Sequence, residues 1–503
     1  MSANAPSAGE SPRAPSLLRS GALSLVTSAA PLVVALVALP VLTRQLGTER
    51  LGLLALAWAW LGYAALLDFG LGRALTRMVA AADAGEVLEA PIGAFVSTAH
   101  VTLALVGVVV GALGATLAPW YVTHVLRVSD AMRSDALLAA SLFALAVPLI
   151  TGSSVPRAVL EARRQFRDVN LVRLPVSVGT FAVPLLLLPF TTSLTAIALV
   201  LAAIRAWAWW RYAALARSVL PRVSGDSSSR RYLRPLLREG AWMTVSNVLS
   251  PLMMVADRFV IGSLISVSAV ALYAVPWEAV TKLWIVPGAL TMVLFPAIAR
   301  AATSEPAKLI PLHAASVRLL TLIVIPVCCV ACLLAPWLLR LAGGAQYGGE
   351  SVDVLRILAI GVAANCIANV PFTLLQACGR ARRTATLHLL EIIPFGAALW
   401  FGVTYGGIVG AAIAWTVRVC VDALLLAWRA QSVAPLSAGI LTLNALGVIA
   451  VAAAAFIGRI AAPDANIVAL LLGIGVAGVF PVLLWNQRSA AERLVFGRVS
   501  KKS

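Results

Sequence analysis

Hydrophobic residues run along this chain in blocks about twenty long, parted by short polar segments. Fourteen such blocks fall near 20–42, 51–72, 92–119, 135–156, 172–190, 193–213, 240–262, 271–297, 315–338, 352–375, 387–404, 407–428, 438–460 and 465–485. An α-helix of about 20 residues spans a hydrocarbon core of about 30 Å, so each block is long enough to cross a bilayer. The blocks are continuous rather than alternating, which excludes the strands of a membrane barrel. The pattern predicts an all-α polytopic membrane protein of about 14 transmembrane helices. Pro and Gly interrupt several blocks, which membrane helices tolerate where neighbours re-satisfy the backbone.

Composition agrees: 61% of residues are hydrophobic and only 12% charged. That balance excludes a soluble enzyme. The 39 Lys and Arg against 21 Asp and Glu would suggest nucleic acid in a soluble chain, but no nucleic-acid-binding motif is present. Sidedness explains the excess. With the N-terminus in the cytoplasm, the inner segments hold 29 of the basic residues and the outer segments 7, with Arg258, Lys282 and Arg418 inside spans. The positive-inside rule then places both termini in the cytoplasm. Arg13 and Arg19 precede the first block as in a signal peptide, but the block is too long for one. Cys329 and Cys332 form a CxxC within an apolar run, with no second pair, so they read as small apolar residues. No cofactor or metal site is expected.

A repeat runs through the chain. Leu17-Leu18-Arg19-Ser20-Gly21-Ala22 returns as Leu236-Leu237-Arg238-Glu239-Gly240-Ala241, at offset 219. Leu117-Ala118-Pro119-Trp120 returns as Leu334-Ala335-Pro336-Trp337, at offset 217, and Val155-Pro156 as Val370-Pro371, at offset 215. Six spans separate the copies, an even number, so both enter the membrane from the same side. That is a parallel repeat about an axis along the membrane normal, and two such bundles suit a transporter that rocks about a midplane site. The expected organisation is a disordered cytoplasmic N-terminus at 1–19, a six-helix bundle at 20–216 and a basic cytoplasmic linker at 217–238. A second six-helix bundle follows at 239–430, then two extra helices at 431–486 and a basic tail at 487–503.

Ionisable groups inside spans cost several kcal/mol and are kept for a reason. Asp257 and Arg258 lie late in the seventh span. Glu278 and Lys282 lie at i,i+4 in the eighth, with the acid first, the favourable order for a helical pair. Arg418 and Asp422 form a second i,i+4 pair in the twelfth, and Asp68 lies near the inner end of the second. Two readings stand side by side. The pairs neutralise each other and join helices, or Arg258, Lys282 and Arg418 line a cavity for an anionic substrate. In the second reading Asp68, Asp257 and Glu278 carry a coupling H+ or Na+. His100 and His388 read as packed or interfacial. The Gly107xxxGly111 and Gly406xxxGly410 spacings predict close helix contacts.

The stretch Leu39-Pro40-Val41-Leu42-Thr43-Arg44-Gln45-Leu46-Gly47, then Gly52, then Leu67-Asp68-Phe69-Gly70-Leu71-Gly72-Arg73, resembles the start of bacterial polysaccharide flippases of the O-antigen type. These belong to the multidrug/oligosaccharidyl-lipid/polysaccharide exporter superfamily. Asp257 to Gly262, Tyr273-Ala274, Leu294 to Ile298, Gly344 to Tyr347 and Gln376 to Arg380 extend the resemblance over about residues 20–430. It implies a V-shaped pair of bundles in the bacterial inner membrane. Its cargo would be an undecaprenyl-diphosphate-linked oligosaccharide, moved from the inner to the outer leaflet by alternating access for surface polysaccharide biosynthesis. Arg44, in the matching Arg-x-Leu-Gly motif, joins Arg258, Lys282 and Arg418 as a substrate-binding candidate. Arg and Lys suit a diphosphate, which they neutralise at low dielectric. Membrane lipids and the polysaccharide polymerase or glycosyltransferase machinery are the further implied partners. Lipid II flippases carry a basic residue soon after the Tyr-Ala. Here Val275, Pro276 and Trp277 follow instead, so that likeness is weaker. The competing readings are a cation-coupled multidrug exporter of the same superfamily and a membrane glycan polymerase or ligase. The second lacks the large outer loop and catalytic motif it would need.

Overall fold

The computed structural model describes residues 14–65, 67–68, 71–72, 75–76, 78–79, 91–163, 165–219 and 230–460. Expectations for 1–13, Arg73, Arg77, 220–229, the last apolar block and the basic tail fall outside the described residues. Every regular element among the described residues is helical. The helices are α1 (Ala14–Ala64), α2 (Ile92–Trp120), α3 (Asp130–Leu145), α4 (Val147–Ala162), α5 (Phe166–Leu187), α6 (Leu194–Val219) and α7 (Arg230–Leu264). They continue as α8 (Val267–Thr281), α9 (Ile285–Ser304), α10 (Leu309–Leu333), α11 (Ala335–Gly343), α12 (Glu350–Ala377), α13 (Ala381–Gln431) and α14 (Ala438–Ile460). Nine helical stretches among the described residues are long and apolar enough to cross a membrane. The chain is thus an all-α multi-pass membrane protein.

Two of the helices are hairpins in disguise. α1 breaks at Gly47, whose φ of 76° is open to glycine without penalty, and α13 breaks at Gly407 with φ 57°. Each therefore supplies two adjacent spans. Residues 14–19, expected to be disordered, open α1 instead. Pro15 falls in the first turn, where its missing N–H costs nothing, and the apolar run behind it propagates the helix. The basic linker shrinks likewise, because α6 continues to Val219 and α7 starts at Arg230.

Large apolar residues face outward as well as inward. Leu36, Leu105, Leu186, Ile393 and Leu446 are 58–81% exposed, which suits a surface solvated by lipid. Without a hydrophobic drive between helices in lipid, small residues and buried polar bonds do the joining. A Cβ on Gly107 would lie 2.1 Å from Thr151 Oγ1, so α2 meets α4 closely, as its spacing predicts. The second predicted pair is corrected. A Cβ on Gly406 would meet nothing within 4 Å, whereas one on Gly410 would lie 1.8 Å from the carbonyl oxygen of Gly402 across the α13 hairpin. The hairpin turn, and not the i,i+4 spacing, decides which glycines meet. Thr321 donates to Asn444 (2.6 Å), Thr291 to Asn369 (2.7 Å) and Thr416 to the Ile357 carbonyl (3.0 Å). The carboxylate of Asp135 caps α6, accepting from the backbone of Leu194 (2.7 Å) and Thr195 (2.9 Å) and from both hydroxyls of Ser193 and Thr195.

The first and second halves of the chain are tied together at one end. Thr43 donates to the Ala342 carbonyl (2.8 Å), Gln346 donates back to the Thr43 carbonyl (3.1 Å), and the Arg127 amide donates to Gly262 (3.3 Å). Gly52 of α1 lies against the Val267 backbone at the start of α8. Leu51, Leu54 and Val267 are at most 1% exposed there, so this end is shut.

Candidate functional site

The charged groups near the middle of the second half are placed by two prolines. Ser266 caps α8, accepting from the Ala269 amide at 3.1 Å. Pro276 within α8 leaves the Leu272 carbonyl without its i+4 donor, and the Ser351 hydroxyl of α12 supplies one at 3.0 Å. Pro287 likewise cannot donate to Leu283, and the helix tightens to a 3₁₀ turn at Lys282–Trp284. That turn sets the direction of Lys282.

Arg258 of α7, Glu278 of α8 and Lys282 converge. Arg258 Nη2 lies 3.6 Å from Glu278 Oε1, and Lys282 Nζ lies 2.5 Å from Glu278 Oε2. The Arg258 guanidinium stands 5.4 Å from the Trp277 ring. Lys282 Nζ stands 5.2 Å from the ring of Phe181, which belongs to α5 in the first half of the chain. Exposure rises along the trio, from 6% for the Arg258 side chain through 17% for Glu278 to 30% for Lys282. Two cations thus share one carboxylate, and the more open cation faces the other half. Asp257 is bonded on both oxygens: its Oδ1 accepts from the Arg258 amide at 2.7 Å. Its Oδ2 accepts from the Tyr273 hydroxyl at 2.5 Å, and both residues are fully buried.

Arg418 belongs to a second cluster. The sequence pairs it with Asp422 one turn on, but the structure gives each a partner across the α13 hairpin. Arg418 Nε lies 3.6 Å from Glu391 Oε2, and Asp422 Oδ1 lies 3.7 Å from His388 Nε2. The hairpin at Gly407 brings the two arms together, so a group on one arm can meet a partner on the other. Glu391 is absent from the sequence-derived candidates. The signal was present: a carboxylate inside an apolar span, one turn from His388.

The remaining candidates lie apart. Arg44 is exposed at the shut end, its Nη2 3.4 Å from the Leu341 carbonyl, away from both clusters. Asp68 is half-buried beside Gly72, where an added Cβ would lie 2.9 Å from its Oδ2. Arg356, read as belonging to the outer segments, is buried. It donates to the Cys332 carbonyl (3.2 Å) and to the Gly458 carbonyl, and so fastens α12 to α10 and α14. All six cysteines are free thiols.

Comparison with known proteins adds to this geometry. The family described as polysaccharide biosynthesis protein matches residues 18–302. The chain is 31% identical over 413 residues to the "Putative O-antigen transporter" of Shigella flexneri, covering 82% of this chain and 97% of that protein. Among solved structures it is similar to the lipid II flippase MurJ in an inward closed conformation. That match has a TM-score of 0.68 at 11% identity and covers 93% of this chain and 99% of the other. It is also similar to an inward-facing multidrug resistance MATE family transporter of the MOP superfamily. There the TM-score is 0.65 at 14% identity, with 84% of this chain and 96% of the other covered. At such identities the two structures speak for the fold alone.

Proposed function

This chain belongs to the polysaccharide biosynthesis protein family, and from that premise we propose that it flips a polyprenyl-diphosphate-linked oligosaccharide across the bacterial inner membrane. It is a transporter and not an enzyme. Its cargo leaves the inner leaflet, crosses between the two halves of the chain, and arrives in the outer leaflet for surface polysaccharide assembly. The observation that carries this reading is the Arg258–Glu278–Lys282 cluster. Two cations around one carboxylate, mostly withdrawn from water, leave positive charge that low dielectric makes costly. An anionic headgroup supplies the missing counter-charge. A diphosphate fits best, since the guanidinium and the ammonium contact different oxygens of it.

Glu278 then acts as a stand-in anion for the headgroup. When the headgroup arrives, it competes with Glu278 for Lys282, the more exposed of the two cations. The shut end supports alternating access: with Thr43, Gly52, Leu126 and Val267 packed there, cargo enters from the opposite end. On the sidedness read from Arg and Lys, that opposite end is cytoplasmic. Of the residues considered for ion coupling, Asp68 lies apart from the headgroup cluster, Glu278 serves as its stand-in anion, and Asp257 is held by Tyr273. Arg44 belongs to the closure rather than to the headgroup site.

The test is at Lys282. Lys282→Ala abolishes surface polysaccharide export at normal membrane levels of the protein, and Lys282→Arg restores part of it. Disappearance of the Lys282→Ala protein from the membrane would assign Lys282 to a structural pair with Glu278 instead.

A further inference from the structure

The cluster within the α13 hairpin shares no residue with the proposed headgroup site, and its composition is unusual for a membrane interior. His388, Glu391, Arg418 and Asp422 are 2–8% exposed. Both Glu391 oxygens, His388 Nδ1, Asp422 Oδ1 and Arg418 Nε and Nη1 are buried without a hydrogen-bond partner. Glu391 sits against Arg418 at 3.6 Å and Asp422 against His388 at 3.7 Å, so the two carboxyls belong to one buried cluster. Two bare carboxylates in one such cluster repel, and each is an acceptor only. A proton held within the cluster relieves the repulsion and supplies a donor.

Charge counting points the same way. Arg418 supplies one positive charge and the two carboxyls two negative ones. With His388 neutral, the cluster is neutral only when it holds one proton on the carboxyl pair. With the proton on His388 instead, the total is again neutral. A buried group of charges at low dielectric is driven to that balance. We propose that His388, Glu391, Arg418 and Asp422 form a proton-binding site, and that taking up and releasing its proton is coupled to the opening and closing of the two halves. The proposal rests on the transporter reading above.

The surroundings favour a proton over a metal cation. A sodium or divalent ion needs several oxygens converging at short range. Here the guanidinium of Arg418 already faces Glu391 at 3.6 Å, and no metal-ligating group of His, Cys, Asp and Glu is found among the described residues. The described elements packed on α13 bring other charged groups, but these are paired elsewhere. On α12, Asp353 pairs with Arg356, and Phe372 stacks on His388 at 6.0 Å. On α7 and α8, Arg258 pairs with Glu278, and Asp257 bonds with Tyr273. The thiols of Cys366 and Cys420 lie on α12 and α13 themselves, and Arg380 and Arg383 at the foot of α13 bind Ser432. The path from cluster to headgroup site is short. Trp415, one turn from Arg418, meets Trp277 at 4.8 Å between ring centres, and Trp277 carries Arg258 on its face. A proton that leaves Glu391 changes the pull on Arg418, and the stacked tryptophans connect that arm to the headgroup site.

The full chain, reconstituted in liposomes with a fluorescent short-chain polyprenyl diphosphate, separates the outcomes. Flipping is read by chemical quenching of the outer leaflet, without a gradient and then with an imposed pH or sodium gradient. Wild-type protein responds to the pH gradient and not to the sodium gradient. Glu391→Gln loses the pH response while gradient-free flipping persists, and Glu391→Asp regains part of it. A full pH response in Glu391→Gln, or a response to sodium alone, overturns the proton site. Absence of any flipping by wild-type protein would instead sink the transporter reading. Infrared spectroscopy covers the case in which Glu391→Gln fails to fold. Wild-type protein at neutral pH shows a protonated-carboxyl stretch that weakens or shifts in Asp422→Asn and in His388→Gln. Absence of both this band and an imidazolium band that His388→Gln removes, or a carboxyl band unmoved by both changes, refutes the site.

Discussion

Gly52→Ala is the most direct probe of the shut end. The added Cβ would lie 1.9 Å from the carbonyl oxygen of Val267, where ordinary contact begins at 3.4 Å. The first turn of α8 and the second arm of α1 must therefore separate locally by about 1.5 Å, the difference between those two distances. The obstacle is backbone, which no rotamer change moves aside. Overpacking of this kind costs about 1–3 kcal/mol. That shifts the balance between shut and open forms by about fivefold to over a hundredfold, at about 1.36 kcal/mol per tenfold. The assay is cross-linking by a short bifunctional maleimide between cysteines at positions 44 and 341, which the Arg44–Leu341 contact places within an arginine side chain's reach of each other. It is run in a chain whose six native cysteines are replaced by alanine. Gly52→Ala lowers the rate of cross-linking, whereas Gly62→Ala, with nothing within 4 Å, leaves it unchanged. An equal rate in both would show that the α1–α8 contact is not what holds this end closed.

Two further changes test the polar joints. Tyr273→Phe strips Asp257 of the donor at 2.5 Å in a fully buried place and lowers stability by about 1–3 kcal/mol. A thermal melt in detergent reads this, and an unshifted midpoint would mean that Asp257 is satisfied some other way. Asp135→Ala uncaps α6, removing the acceptor for two amides and two hydroxyls, and costs about 1–2 kcal/mol. Its signature is faster hydrogen exchange at Leu194 and Thr195. Wild-type exchange there would remove the capping role.

Much of the architecture is legible along the chain because the bilayer imposes one length scale. Among the described residues the first thirteen apolar blocks fall on helical stretches, though 135–156, 271–297 and 315–338 are each divided between two successive helices. The Glu278–Lys282 pair was readable as well, since residues four apart along a helix make neighbours and the tightening to a 3₁₀ turn begins only at Lys282. The same rule failed at Arg418 and Asp422, whose partners lie 27 and 34 residues back, beyond a glycine break. It failed again at Gly406, where the hairpin chose Gly402 and Gly410.

Hydropathy and the few charges left inside apolar runs are properties of single helices, and the sequence settles them by itself. Which charge meets which is not such a property. Glycines at 47 and 407, where the backbone takes positive φ, fold each long helix back on itself, and packing across those folds selects the partners. Helix periodicity reports neighbours along one axis only. Contacts between axes depend on crossing geometry, and that is why Glu391, His388 and the Phe181–Lys282 meeting emerged only with the tertiary structure.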